Sequence, residues 1–312
     1  MTAVAQVVGV DLGGTKTRFV LTCEDLTVRA GLTRPTPALD GADAMLTTVV
    51  EGVRELVRAR GPVAAVGIGT AGVVDHAGGR IVAASDSFSG WAGTNVVDVL
   101  RAELDVPVVL ENDVNAFLYG ERSGGAARGL RDVMGISLGT GVGGAIVLDG
   151  QLFRGRLGGA GEIGHVPGFG DEMCTCGQRG HLETLASGRA IARRYRQHTG
   201  VDVDAADVAG LARGGDPAAT RTLAEAGQGV AQAALMVAGI LDVHDVVVGG
   251  GVAQAWDVLG VHVRSALAQA EPVGGATITI RRGELGGDAA AIGAAALARC
   301  RFALPVTSGR AG

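Results

Sequence analysis

The stretch QVVGVDLGGTKTRFVLT, residues 6–22, decides the fold, because two apolar runs are joined there by a glycine-rich turn. Gln6–Val10 predicts a short buried strand and Arg18–Thr22 predicts a second strand, so the two are expected to form a β-hairpin. The turn between them, Asp11–Lys16, contains two adjacent glycines. Turns of this kind expose backbone N–H groups, and clustered N–H groups bind phosphate.

The same pattern returns further along the chain. Strands predicted over Val133–Leu138 and Val142–Leu148 flank the turn Gly139–Gly144, and a strand predicted over Asp245–Val248 runs into Gly249–Gly251. The resemblance between the two hairpins is weak evidence for an internal duplication. A single glycine turn is typical of any hairpin tip, whereas three turns that each follow an apolar strand favour phosphate binding.

Segments with helical spacing of apolar residues alternate with the strands. Helices are predicted over Asp40–Arg60, Asn95–Leu104, Asp113–Glu121, Ser187–Gln197, Val203–Ala212, Asp216–Leu241, Val252–Ala270 and Asp288–Cys300. Further strands are predicted over Val63–Ile68, Pro107–Glu111 and Ala276–Arg281. This alternation predicts an α/β protein. We expect a smaller domain of residues 1–115 plus about 288–312, and a larger domain of residues 116–287.

Composition excludes several classes of protein. The 312-residue chain is 47% apolar and 3% aromatic, with a net charge of −5. The apolar content is that of a packed globular protein, and the chain lacks the basic surplus and stacking aromatics of a nucleic-acid binder. Val133–Leu148, which no uncharged run of the chain exceeds in length, is shorter than the roughly 20 residues of a membrane span, and no signal peptide opens the chain. We therefore expect a cytoplasmic protein with neither a nucleic-acid nor a membrane partner.

A polar cluster, Glu111-Asn-Asp-Val-Asn115, lies where a predicted strand meets a predicted helix. Side chains at the carboxyl end of such a strand face the crevice in which α/β proteins hold their ligands. On its own the pattern is more often a plain helix cap by Asn112 or Asp113. The two interpretations remain open at this point.

Five motifs, in this order, resemble those of the ROK family, which contains repressors, open-reading-frame proteins and sugar kinases. They are Asp11-Leu-Gly-Gly-Thr-Lys16, Glu111-Asn-Asp-Val-Asn115, Gly139-Thr-Gly-Val-Gly-Gly144, Gly161-Glu-Ile-Gly-His165 and Cys174-Thr-Cys-Gly-Gln-Arg-Gly180. The resemblance covers nearly the whole chain. It implies an actin-like, ribonuclease-H-like fold in which two α/β domains close on a nucleotide and a sugar.

The resemblance also implies roles for individual residues. Asp113 would be the general base that accepts the proton of a sugar hydroxyl as the oxygen attacks the γ-phosphate of ATP. The implied sugar-binding residues are Gly72, Asn95, Asn112, Glu162, His165 and Glu183. The implied nucleotide-binding residues are Asp11, Gly13, Gly14, Thr15, Lys16, Gly139, Thr140, Gly141, Gly249, Gly250 and Gly251. A carboxylate such as Asp11 beside a phosphate requires an intervening cation, for which Mg²⁺ is the natural choice.

A structural zinc ion is a usual feature of the family, held by one His and three Cys. In this chain His181 occupies the position of the last cysteine, so the resemblance implies a set of His165, Cys174, Cys176 and His181. Tetrahedral Zn²⁺ accepts two imidazoles and two thiolates. The alternative is that the site has been lost and that His181 is a solvated loop residue.

The implied activity is ATP-dependent phosphorylation of the 6-hydroxyl of a glucose-like hexose, as in glucokinases. An aminohexose such as kanosamine or N-acetylmannosamine is the alternative substrate, because the interval from Trp91 to Asn95 is longer than we expect in a glucokinase. Asp86 in the preceding loop is then a candidate contact for an amine, or a solvated turn residue.

A sugar-sensing repressor is disfavoured, because the first phosphate motif starts at residue 11 and leaves no room for a helix-turn-helix domain before it. The resemblance further implies a homodimer or homotetramer whose partners are the sugar and ATP.

Overall fold

The computed structural model describes residues 5–270, 272 and 275–304. Within these residues the strands are β1 (Val7–Leu12), β2 (Lys16–Thr22), β3 (Val28–Pro35), β4 (Ala65–Thr70), β5 (Val73–Asp75), β6 (Arg80–Ala83), β7 (Val108–Asn112), β8 (Val133–Leu138), β9 (Val142–Leu148), β10 (Gln151–Leu152), β11 (Asp245–Gly249) and β12 (Thr279–Arg282). The helices are α1 (Ala42–Arg60), α2 (Val96–Leu104), α3 (Asp113–Gly124), α4 (Glu183–Ala186), α5 (Gly188–Thr199), α6 (Ala205–Arg213), α7 (Pro217–Leu241), α8 (Trp256–Leu267) and α9 (Ala289–Arg301).

Contacts within the chain divide it into two units, each with its own sheet. The first unit comprises Met1–Gly129, Arg154–Ala160 and Gly287–Gly312, as far as these ranges are described. The second comprises Leu130–Phe153 and Gly161–Gly286, with the same restriction. The mixed α/β class predicted from the sequence is confirmed. The boundary predicted between residues 115 and 116 falls inside α3, which lies entirely in the first unit.

The sheet of the first unit has the strand order β3-β2-β1-β4-β7. Strands β1, β2 and β3 are antiparallel, while β1, β4 and β7 are parallel. The predicted hairpin is β1–β2, in which Val7 pairs with Thr22 and Leu12 with Thr17. Its apolar side chains are fully buried, as expected of a strand that is covered on both faces. The small antiparallel pair β5–β6 forms a separate sheet.

Glycines allow α9 to lie directly on this sheet. A Cβ at Gly9 or Gly67 would fall 1.8 or 1.9 Å from carbonyl oxygens of α9, so no larger residue fits at either position. Helix α3 approaches α9 as closely, because a Cβ at Gly120 would lie 2.2 Å from the carbonyl oxygen of Ala289. The packing of α3 against α9 is the physical reason why residues 116–124 cluster with the first unit.

The sheet of the second unit has the order β10-β9-β8-β11-β12, with β8, β9 and β10 antiparallel and β8, β11 and β12 parallel. The two sheets therefore share one topology, which agrees with the duplication suggested by the glycine turns. Helix α7 supplies much of this unit's core through a face of small and aliphatic residues that includes Leu223, Val230 and Val237.

Some elements differ from the sequence-based expectation. The strands β3, β5, β6 and β10 were not predicted, and the helix predicted over Val252–Ala270 begins as a 3₁₀ turn, Val252–Ala255, before α8. Strand β3 alternates half-buried and exposed residues at the sheet edge, so it lacks the apolar run that marks β1. Among the helices that the structure describes, none combines the length and hydrophobicity of a membrane span.

Candidate functional site

The first glycine turn closes the β1–β2 hairpin. The Gly13 N–H donates to the Lys16 carbonyl oxygen at 3.1 Å, and the Thr36 N–H donates to the Thr15 carbonyl oxygen at 3.0 Å. Gly14, Thr15 and Lys16 are exposed. The turn is therefore held at its base while its tip remains open to a ligand, as a phosphate-binding turn requires.

Asp11 lies near the end of β1 with a half-buried side chain. Burial raises the pKa of its carboxyl from 3.8 to about 7, and the negative charges of Asp113 and Asp288 add to the rise. Lys16 acts in the opposite direction and lowers this pKa. Asp11 thus lies in a region of the first unit where negative charge is poorly compensated, and a divalent cation would favour its ionised form.

Asp113 begins α3 directly after β7 ends at Asn112. The Asn112 Oδ1 accepts the N–H groups of Val114 at 2.9 Å and Asn115 at 3.0 Å, so Asn112 is the N-cap. The Asn112 Nδ2 donates to the Gly72 carbonyl oxygen at 3.1 Å. Burial raises the pKa of Asp113, although its Oδ1 accepts the Val114 N–H at 2.9 Å. The structure therefore brings Gly72, Asn112 and Asp113 together, with the cap formed by Asn112.

Asn95 is exposed at the N-cap of α2. Its Oδ1 accepts the Asp98 N–H at 3.3 Å, and its Nδ2 donates to Asp98 Oδ2 at 2.7 Å. The loop before it is anchored by the fully buried Trp91, whose indole N–H donates to Thr70 Oγ1 at 3.2 Å. Asp86 in this loop is exposed. In this structure Asn95 is hydrogen-bonded within its own helix and not to the β7–α3 junction.

A buried ion pair lies beside the junction, and the sequence analysis missed it. Glu111 is 3% exposed, and its Oε2 accepts the Nε and Nη2 of Arg154, each at 2.7 Å. Its Oε1 accepts the Asn112 N–H at 3.1 Å and the Asn115 Nδ2 at 2.9 Å. Arg154 lies 43 residues from Glu111 in an irregular segment, so no periodic pattern links the two.

The glycine turns of the second unit lie side by side. The Gly139 N–H donates to the Gly141 carbonyl oxygen at 2.9 Å, which closes the turn between β8 and β9. Gly250 has φ +85°, and a Cβ there would fall 2.4 Å from the Leu138 carbonyl oxygen. Only glycine tolerates that approach at positive φ. The predicted segments Gly139–Gly141 and Gly249–Gly251 therefore meet at one end of the parallel strands β8 and β11.

The segment that carries Glu162 and His165 runs against β9. A Cβ at Gly164 would lie 1.9 Å from the Val142 carbonyl oxygen, so backbone contacts backbone here. The His165 N–H donates to the Glu162 carbonyl oxygen at 3.0 Å in a short 3₁₀ turn, and the Glu162 side chain is exposed. The two predicted sugar-binding residues of this segment therefore lie next to the glycine turn between β8 and β9.

Glu183 connects that turn to the cysteine loop. Its Oε2 accepts the Val142 N–H at 3.1 Å, and its Oε1 accepts the Thr175 hydroxyl at 2.8 Å. The Arg189 Nη2 lies 3.6 Å from Oε1. A Cβ at Gly141 would fall 2.5 Å from Oε2, so the carboxylate lies against the turn itself. Sequence reasoning found Glu183 but not Thr175, which stands between two cysteines.

The four predicted metal ligands form one cluster. The ligand atoms of His165, Cys174, Cys176 and His181 all lie within 4.8 Å of one another. The Cys174 Sγ is 3.7 Å from His165 Nδ1, and the Cys176 Sγ is 3.3 Å from His181 Nδ1. His181 is 1% exposed, and its Nε2 is buried with no hydrogen-bond partner among the described residues. Two thiols and two imidazoles at these separations fit a tetrahedral Zn²⁺ ion.

Two α/β units that share one five-stranded topology, with glycine turns at the ends of their strands, define a two-domain actin-like protein. The model of the ROK family matches residues 7–301, which is nearly the whole chain. The chain belongs to the ROK family, and the resemblance found in its motifs is thereby confirmed.

Two curated relatives and one solved structure illustrate the similarity. The chain is 34% identical to a glucokinase of Thermotoga maritima over 81% of this chain and 84% of that protein. It is 32% identical to an N-acetylmannosamine kinase of Citrobacter koseri over 93% of this chain and 97% of that protein. It is also similar to a ROK family glucokinase of Streptomyces griseus solved with glucose and AMPPNP, with a TM-score of 0.84 and 30% identity over 95% of this chain and 100% of that chain. The predicted actin-like fold is therefore confirmed.

Proposed function

We propose that this chain transfers the γ-phosphoryl group of ATP to the 6-hydroxyl of a free glucose-like hexose. The observation that carries the proposal is Asp113, a partly buried carboxylate with a raised pKa at the first residue of α3. Membership of the ROK family and the likeness to a glucokinase solved with glucose and AMPPNP support the reaction class. The chain is accordingly an ATP-dependent hexose kinase.

In the proposed reaction Asp113 accepts the proton of the attacking hydroxyl. The sugar oxygen forms a bond to the γ-phosphorus as the bond from that phosphorus to the β,γ-bridging oxygen breaks, and ADP leaves. Burial raises the pKa of Asp113 and brings it nearer the working pH, where proton acceptance is more effective. The N-cap hydrogen bonds of Asn112 fix the first turn of α3 and thus the direction of the base.

The nucleotide is assigned to the three glycine turns. Backbone N–H groups at Gly13–Lys16 in the first unit, and at Gly139–Gly141 and Gly249–Gly251 in the second, are suited to phosphate oxygens. Lys16 adds a positive charge at the tip of the first turn. Mg²⁺ held by Asp11 would neutralise phosphate charge, and it would favour the ionised form of Asp11, whose pKa is raised to about 7 by burial and by the charges of Asp113 and Asp288.

The family resemblance implies sugar-binding groups in each unit taken by itself. In the first unit these are Asn95, Asn112 and Gly72, and in the second they are Glu162, His165 and Glu183. The hydrogen bond from Asn112 to the Gly72 carbonyl supports the joint placement of these two residues. An amide nitrogen carries two hydrogens, so Asn112 can donate to Gly72 and to a sugar oxygen at once. Asn95 would have to exchange its bonds to Asp98 for bonds to the sugar.

A structural Zn²⁺ ion is proposed for the cluster of His165, Cys174, Cys176 and His181. The grouping of the four ligand atoms supports this assignment, and the Cys176 Sγ lies 3.3 Å from the Nδ1 of the buried His181. When bound, the ion supplies a cross-link for a loop with little apolar content of its own. The same loop carries Thr175, whose hydroxyl holds Glu183.

An aminohexose is the second candidate substrate, and the similarity to an N-acetylmannosamine kinase over 93% of this chain favours it. Kanosamine is the other aminohexose of interest, since Asp86 is exposed in the loop before Asn95. A cytoplasmic location and a homodimer or homotetramer are expectations that follow from the family resemblance.

The function is tested by a coupled assay for ADP release with ATP and a panel of free hexoses and aminohexoses. We expect turnover with glucose or a glucose-like sugar, and none with 6-deoxyglucose, which lacks the accepting hydroxyl but should compete for binding. Turnover of 6-deoxyglucose would contradict the proposed position of transfer, and no turnover with any sugar would contradict the activity.

A further inference from the structure

We propose that Glu111 and Arg154 are positioning residues for Asp113, because the ion pair between them holds the β7–α3 junction in one arrangement. The inference rests on the proposed function, in which Asp113 is the base. Neither Glu111 nor Arg154 needs to touch the substrate, since Glu111 bonds the groups that flank Asp113 and Arg154 acts through Glu111.

The carboxylate of Glu111 is engaged at both oxygens. It is 3% exposed, and a buried carboxylate stays charged only when paired and hydrogen-bonded. Its Oε2 accepts two N–H groups of Arg154, each at 2.7 Å, and its Oε1 accepts the Asn112 N–H at 3.1 Å and the Asn115 Nδ2 at 2.9 Å. A hydrogen-bond network in which both carboxylate oxygens have partners favours a single arrangement of these side chains.

Two of these donors lie on either side of Asp113 in the sequence. Asn112 offers its backbone N–H and Asn115 its side-chain amide. Asn115 turns its Nδ2 toward Glu111 even though its own Oδ1 is buried without a partner among the described residues. A reversed amide would place an oxygen against the carboxylate, so the charge of Glu111 sets the orientation of Asn115. The first turn of α3 is thereby held both before and after Asp113.

Arg154 is itself fixed by its segment. Residues 154–160 cluster with the first unit although the residues on both sides belong to the second. The Ala160 N–H donates to the Arg154 carbonyl oxygen at 3.1 Å. Gly158 has φ +81°, and a Cβ there would lie 2.6 Å from the Val74 carbonyl oxygen, so the segment lies against β5. The guanidinium directs two neighbouring nitrogens, Nε and Nη2, at the Glu111 Oε2, and an ammonium group cannot offer this fixed pair of donors.

Steady-state kinetics of Arg154→Met and Arg154→Lys test the proposal. We expect Arg154→Met to lower kcat by roughly 10- to 100-fold, because a small displacement of a catalytic group has effects of this size. The KM for ATP should stay within about twofold, since the glycine turns are untouched. Arg154→Lys should fall between the wild type and Arg154→Met, because it keeps the charge and loses the paired geometry.

A double-variant cycle separates positioning from damage to the fold. Arg154→Met leaves a buried carboxylate unpaired, and adding Glu111→Gln removes that charge, so the double variant should recover several-fold of the lost kcat. Arg54→Met is the matched control, because Arg54 pairs with Glu103 at 3.0 Å with both side chains about half exposed. It should behave as the wild type. Rates are divided by the number of sites that bind AMPPNP, which corrects for unfolded protein.

Two results would overturn the inference. One is a kcat per AMPPNP-binding site in Arg154→Met within about twofold of the wild type. The other is an Arg154→Met effect matched by Arg54→Met. If the wild type phosphorylates no sugar, the proposed function fails, and amide hydrogen exchange then decides the positioning role. Faster exchange at residues 112–115 in Arg154→Met supports the role of the ion pair, and unchanged exchange excludes it.

Discussion

Replacing Asp11 with Asn should change the stability of the ligand-free protein in a way that depends on pH. The free energy of unfolding of Asp11→Asn minus that of the wild type should increase as the pH rises. The pKa of Asp11 is raised from 3.8 to about 7 in the folded protein. Below pH 3.8 the carboxyl is protonated in both states. Between pH 3.8 and 7 the unfolded chain loses the proton that the folded chain keeps, so the free energy of unfolding falls as the pH rises. Above pH 7 the folded protein carries the full penalty of the ionised group.

The size of the effect follows from the shift. Each unit of pKa corresponds to about 1.4 kcal/mol, so a rise from 3.8 to about 7 sets an upper limit of about 4 kcal/mol. Asp11 is half-buried, and solvent screening reduces this to roughly 2 kcal/mol. About two thirds of this free-energy change falls between pH 5 and pH 8. Over that range the difference in free energy of unfolding between Asp11→Asn and the wild type should therefore change by about 1–2 kcal/mol, and the difference in Tm by roughly 2–4 °C.

Differential scanning calorimetry without Mg²⁺ or nucleotide, at several values from pH 5 to pH 8, measures the effect. The Tm of Asp11→Asn minus that of the wild type should grow steadily with pH. Asp40→Asn is the control, because the Asp40 side chain is exposed in a turn. If the Tm difference between Asp11→Asn and the wild type stays constant or shrinks as the pH rises, burial and the neighbouring carboxylates do not raise the pKa of Asp11.

Three further changes probe other parts of the site. Wild-type protein purified without a chelator should contain about one zinc ion per chain, and Cys176→Ser should contain less. If metal analysis finds no zinc in the wild type, the assignment of two His and two Cys ligands is wrong. Gly141→Ala should raise the KM for ATP roughly tenfold, because its Cβ would lie 2.5 Å from Glu183 Oε2 and disturb the bond to the Val142 N–H, while Gly159→Ala, whose Cβ meets nothing within 4 Å, should have no effect. An equal effect of the two glycine variants would exclude a role for that contact. If Asp86 recognises an amine, Asp86→Ala should raise the KM for an aminohexose far more than for glucose, and equal changes on both sugars would discard the contact.

The parts of the fold that were predicted correctly are those marked by patterns of neighbouring residues in the sequence. The hairpin of residues 6–22 could be predicted because its apolar runs and its glycines are contiguous in the sequence. The ligand set of the cysteine loop came instead from the family resemblance, and Cys174, Cys176 and His181 of that set lie close together along the chain. Strand β3 was missed because its half-buried residues alternate with exposed ones at a sheet edge.

Contacts between distant residues were beyond such reasoning. The pairing of Glu111 with Arg154 joins residues 43 positions apart, and Arg154 belongs to an irregular segment that no periodicity marks. The close packing of α3 against α9 was likewise invisible, because it depends on Gly120 meeting Ala289 across the length of the chain. Asp288, which raises the pKa of Asp11, follows two glycines at the start of α9, and that Gly-Gly-Asp sequence was the available signal.

Asn112 shows how a structural and a functional interpretation combine. The sequence left open whether the polar cluster was a helix cap or a ligand site. The structure assigns the cap to Asn112 through bonds to Val114 and Asn115, and this cap places Asp113 at the first helical position. The cap is therefore part of what orients the proposed base.

The proposed kinase activity depends most directly on proton acceptance by Asp113, and transfer of labelled γ-phosphate from ATP to glucose measures that activity. Sugar binding by the wild type and Asp113→Asn should be followed in parallel by calorimetry. We expect both proteins to bind the sugar, while transfer by Asp113→Asn falls by roughly 10²- to 10⁴-fold. Transfer by the variant at a rate near that of the wild type would contradict the central claim.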